Sequence, residues 1–132
     1  MGVLNLADDM GTPITREDLK RIGFSRIGYD LDDTPYKWAT RLVVPVNYEI
    51  GVPAPHRVTK VVNIFVRYEV VFDEDYGEYP LVMAIPSVVL PSGGLAYDYK
   101  QSEVVLKCDL DTLRLMMNED YVRERFKAFQ IA

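Results

Sequence analysis

The sequence predicts an α+β domain, a curved antiparallel meander of about five strands with a short N-terminal helix and a longer C-terminal helix packed on one face. Two observations carry this expectation. The stretches 36–50 and 58–72 alternate with period two, as strands with one buried face do, and segments near both ends space their apolar residues by threes and fours. A chain of 132 residues suits a single domain spanning 1–132 with one core.

Residues 1–11 show no periodicity and read as a frayed arm. Thr15 caps a short helix, with Glu17 and Asp18 in its first turn, Leu19 and Ile22 on its apolar face and Gly23 as its stop. Residues 24–31 read as a strand that ends in the turn cluster Asp32, Asp33, Thr34 and Pro35. In the next strand Trp38, Leu42, Val44 and Val46 share a face, while Pro45 lacks a donor and must meet an open edge, a bulge or a break. The two prolines of 51–57 end that ladder. The central strand then places Val62, Ile64, Val66, Tyr68 and Val70 on its core face, opposite a mixed face of Val61, Phe65, Arg67, Glu69 and Val71. Both strands exceed the usual strand length, so bends or bulges are expected.

After a polar turn at 73–79, residues 80–90 read as a fourth strand whose Pro80 and Pro86 leave the same edge without donors. A last strand at 97–108 would need a bulge opposite Pro86. Asp109 or Asp111 caps the closing helical segment, which carries Leu110, Leu113, Met117, Tyr121, Val122, Phe126 and Phe129, and Asn118 before Glu119 and Asp120 reads as a further cap that would break or kink it.

Composition excludes more than it assigns. A net charge of −5 opposes general nucleic-acid binding, since phosphate neutralisation supplies most nonspecific affinity. No apolar run reaches the roughly 20 residues of a membrane helix, and the start lacks the pattern of a secretion signal. A soluble protein of the cytoplasm is the expectation. With Cys108 as the single cysteine and His56 as the single histidine, neither a disulfide nor a cysteine-based zinc site can form, and no cofactor is expected.

The isolated candidates read as structural features. His56 has no sequence neighbour to complete a dyad, and Cys108 reads as a buried thiol. The acidic turn from Asp73 to Glu78 places its glycine wrongly for a calcium loop, and Ser92-Gly93-Gly94 lacks the lysine and helix of a phosphate loop. Nine tyrosines and Trp38 are more suggestive, because amphipathic rings near strand ends are enriched, with arginine, at protein interfaces.

The run from Ile14 through Arg16, Leu19 and Ile22 to Gly23-Phe24 resembles the opening of small uncharacterised proteins of bacteriophages and prophages. In these a capped helix ends at Gly-Phe, a meander follows and a helix closes the chain. The resemblance implies a virion component or an accessory protein acting on host or phage machinery, located in the virion or the host cytoplasm.

The leading expectation is therefore a non-enzymatic protein-interaction or assembly protein that binds a protein partner or itself through Phe65, Arg67, Tyr97 and Tyr99. A rival is a small apolar ligand held between sheet and C-terminal helix by Trp38, Leu42, Ile64, Tyr68, Met117 and Phe126. An enzyme would have to join a carboxylate to Tyr or Arg in one cleft with shifted pKa values.

Overall fold

The computed structural model describes residues 11–29, 35–50, 58–73, 77–89, 92 and 94–126. The arm at 1–10, Asp30, Asp32, Asp33, His56, residues 74–76 of the acidic turn, Gly93 and Phe129 lie outside them. Helix α1 (Arg16–Ile22) leads into strands β1 (Ser25–Tyr29), β2 (Pro35–Ile50), β3 (Val58–Val71) and β4 (Leu81–Val89). A broken last strand, β5 (Leu95–Tyr97) and β6 (Glu103–Val105), precedes helices α2 (Leu110–Met116) and α3 (Glu119–Phe126). The curled antiparallel sheet runs β1-β2-β3-β4-β5, with β6 also paired to β4. The α+β expectation stands.

Helix α1 starts where Thr15 and Asp18 exchange hydrogen bonds in a capping box and ends at Gly23, whose φ of 111° is open to glycine at little cost. The β2–β3 ladder is unbroken from Lys37↔Val71 to Ile50↔Val58. Of the bends or bulges expected of these long strands, no bulge interrupts this pair; the sheet is curled, and register shifts fall between β1 and β2, around Gly28.

Two further corrections concern the C-terminal half. The last strand is two short strands separated by a 3-10 turn at Tyr99–Gln101, because β4 offers no donor at Pro86 and the pairing lapses there. The closing segment is two helices, as the cap at Asn118 allows: its Oδ1 accepts from the backbone N–H groups of Asp120 and Tyr121 at 3.0 and 3.3 Å.

The three α-helices among the described residues lie on one face of the sheet. Leu19, Leu113, Met116, Val122 and Phe126 pack with Trp38, Val44, Ile64, Val66, Tyr68, Val70 and Val82 in one buried cluster. Tyr68 also donates its hydroxyl hydrogen to the Met116 carbonyl at 2.6 Å, joining the middle of β3 to the end of α2. Burial raises the Tyr68 pKa well above its ordinary value, so this donor keeps its proton. Tyr68→Phe leaves that carbonyl without its partner; denaturant unfolding should show a loss of about 1 kcal/mol.

Candidate functional site

The opposite face of the sheet carries no helix among the described residues, and alternation decides what it displays. Register aligns Ala39, Glu69 and Met83 in one row, Arg41, Arg67 and Ile85 in the next, and Val43, Phe65, Ser87 and Tyr97 in a third. Here sit Phe65, Arg67 and Tyr97, three of the four residues assigned to an interface from sequence. Tyr99 is exposed but belongs to the 3-10 turn.

A buried carboxylate organises this face. Glu69 is only 4% exposed, and its two oxygens meet Lys37 Nζ at 2.8 Å and Arg67 Nε at 2.9 Å. Burial alone would raise its pKa, but the hydrogen bonds and charges of Lys37 and Arg67 prevail and hold it below the usual carboxylate value. Arg67 pays desolvation, yet Glu69 and the Tyr97 hydroxyl keep it firmly charged. Its guanidinium lies 5.9 Å from the Tyr97 ring centroid, and that of Arg41 lies 5.8 Å from Phe65.

Between these groups runs a shallow cleft of about 260 Å³, lined by Ile27, Ala39, Thr40, Arg41, Arg67 and Tyr97. Ile27 and Val43 are 46% and 40% exposed beside it. Lys37, Arg41 and Arg67 outnumber Glu69, so the patch is basic on an acidic chain. Sequence reading left Lys37 and Arg41 unassigned. The signal was available: the two long runs are symmetric about Ala54, and a hairpin with matched ends places Arg41 opposite Arg67.

The residues assigned to an apolar ligand site lie on the other face, inside the core. Trp38, Ile64, Tyr68 and Phe126 are buried there, with Leu42 and Met117 packed against them. The second described cleft, about 430 Å³ between the start of α1 and the end of β3, involves Pro13, Ile14, Arg16, Glu17, Phe72 and Glu78 instead. One core atom stands out. Trp38 Nε1 is buried with no hydrogen-bond partner among the described residues.

Other polar clusters serve the scaffold. Tyr121 donates to the Glu103 carboxylate at 2.7 Å and Arg125 Nε reaches it at 3.1 Å, which ties α3 to β6 outside both clefts. Burial and then Glu103 push the Tyr121 pKa up to about 12. Cys108 is buried, donates to the Asp109 carbonyl at 3.3 Å, and burial pushes its pKa up to about 12, the opposite of an activated thiol. No helix among the described residues is long and apolar enough to cross a membrane. No family model, curated protein or solved structure matches this chain.

Because the folded-state pKa of Glu69 is lowered, its stabilisation is complete above the ordinary carboxylate range and is lost as pH falls through the lowered value. Glu69→Gln should cost about 1.5–3 kcal/mol at pH 7 by urea unfolding. The difference from wild type should shrink steadily towards pH 3, whereas a pH-independent gap would show that charge on Glu69 is not what matters.

Proposed function

We propose that this chain is a non-enzymatic protein-interaction or assembly protein that docks through the helix-free face of its sheet. The observation that supports the reading is the single surface on which Ile27 and Val43 stand exposed beside Arg41, Arg67, Phe65 and Tyr97. Aromatic and arginine anchors around small apolar side chains are the composition of interface centres. The internal Glu69 pairing holds Arg67 in place before any partner arrives, which lowers the ordering cost of binding. A basic patch suits a partner that presents carboxylates, and an acidic second copy satisfies that chemistry. The resemblance of the N-terminal run to small phage proteins favours a virion or accessory role.

Light scattering across a concentration series tests self-association. The wild type should exceed the 15.1 kDa monomer, and Phe65→Ser combined with Arg67→Glu should weaken association by roughly tenfold or more. A mass unchanged by the double substitution removes this face from the interface.

A second reading, an apolar ligand in the core, has the orphaned Trp38 Nε1 in its favour, since a buried donor without an acceptor is costly. Trp38 is the single tryptophan, so its fluorescence reports this site alone. Titration with a medium-chain alcohol should give a saturable emission shift under that reading. A flat titration discards it.

A further inference from the structure

The register leaves one electrostatic conflict on the helix-free face. Arg41 and Arg67 stand directly opposite each other on β2 and β3, and like charges so placed destabilise a ladder. Arg67 is provided for, because its Nε donates to Glu69 at 2.9 Å and its guanidinium also bonds the Tyr97 hydroxyl. Arg41 is not. It is exposed, its guanidinium rests over the Phe65 ring, and among the described residues no carboxylate lies within ion-pair distance of it. A local rule broken without compensation inside the fold is expected where something outside the fold completes a site.

Charge and room define the missing group. Lys37, Arg41 and Arg67 against the single carboxylate of Glu69 give the patch a charge of +2, on a chain of −5 overall. The wider field therefore repels an extended polyanion, whose charges run past the patch, while one anionic group inside it meets the arginines at short range. The cleft holds about 260 Å³, less than the roughly 300–1,000 Å³ of small-molecule pockets, so it fits an anchoring side chain. Both guanidiniums lean towards the row that holds Phe65 and Tyr97, and side chains directly opposite start only about 5 Å apart. A guanidinium carries more N–H donors than the bonds to Glu69 and Tyr97 use, so Arg67 and Arg41 can donate together to one planar carboxylate. Exposed Ile27 and Val43 beside the cleft offer contact to apolar neighbours of that group.

We propose that Arg41 and Arg67 form a carboxylate-recognition site whose occupant is one Asp or Glu side chain, flanked by apolar residues, on a separate protein partner. This rests on the docking reading above and names the chemistry of what docks. A two-fold contact centred on the cleft would set these arginines against their own copies, which like charge opposes, so the carboxylate comes from a different protein. Its arrival neutralises Arg41 and relieves the cross-strand repulsion that the free chain carries.

NMR titration of the intact, isotope-labelled chain tests it. The probes are the blocked tripeptides acetyl-Leu-Glu-Leu-amide and acetyl-Leu-Gln-Leu-amide, with inorganic phosphate as competitor. The Glu peptide should shift the Nε–H signals of Arg41 and Arg67 and the amide signals of Ile27 and Tyr97 in a saturable way, and the Gln peptide should bind roughly fivefold or more weakly. Arg41→Gln alters an exposed side chain, so it should keep wild-type Trp38 fluorescence while losing roughly fivefold or more of the affinity for the Glu peptide. Equal binding of the two peptides, displacement of the Glu peptide by phosphate at equal concentration, or unchanged binding to Arg41→Gln overturns the proposal. A wild-type oligomer that the Glu peptide dissolves assigns the cleft to a second copy and overturns the separate partner. The two readings fail separately. Light scattering that responds to Phe65→Ser/Arg67→Glu, with no discrimination between the peptides, spares the docking face and discards the carboxylate; Glu-selective binding by a chain that stays monomeric supports the carboxylate site and discards self-association.

Discussion

The β2–β3 ladder is the constraint on which the remaining structure depends. Its register is unbroken, and in a ladder of period two an unbroken register assigns every side chain to one face or the other. Even-numbered residues from Trp38 to Val46 and from Ile64 to Val70 therefore pool into one apolar surface large enough to hold three helices. A slip by one residue would bury Arg41 and Arg67 and expose Val44 and Val66. That penalty, several buried charges against several lost apolar contacts, makes the register self-enforcing.

Proline then decides where pairing stops. Pro45 turns its missing donor to the outer edge of β2, where Arg123 occupies the carbonyl and no further strand is paired among the described residues. Pro86 turns its own towards the last strand, which lapses into a 3-10 turn and resumes as β6, while the Pro86 carbonyl still accepts from the Asp98 N–H at 2.8 Å. Both residues act through a single absent hydrogen-bond donor. The outcome differs because one faces solvent and the other faces a neighbouring strand.

Charge shapes the uncovered face differently. Arg41 and Arg67 are directly opposite, an arrangement that disfavours the ladder unless the charge is relieved. Glu69 supplies the relief to Arg67 and shares itself with Lys37, and the arginines lean over Phe65 and Tyr97. In the middle of the face Ile85 and Ser87 are fully buried, with no helix above them among the described residues. Apolar exposure is left at the margins, at Ile27, Val43 and Val104, and further out along β3 at Val61.

Much of this was legible along the chain. The Thr15 cap, the Gly23 stop, the two long strands, their core faces and the cap at Asn118 each follow from interactions within a few residues or from a period that needs no partner to be read. The split of the last strand was not legible in the same way, although Pro86 marked the place, because whether a bulge or a turn absorbs a missing donor depends on how the facing strand can repack. The Lys37–Glu69–Arg67 cluster, the burial of Ile85 and the Arg123 contact with the Pro45 carbonyl were decided only by tertiary structure. Each requires knowing which residues far apart in sequence become neighbours, and pairwise charge and hydrogen-bond terms act only across that distance in space. Local periodicity therefore determined the elements and the faces they bury, while the three-dimensional register determined which side chains on the remaining face meet.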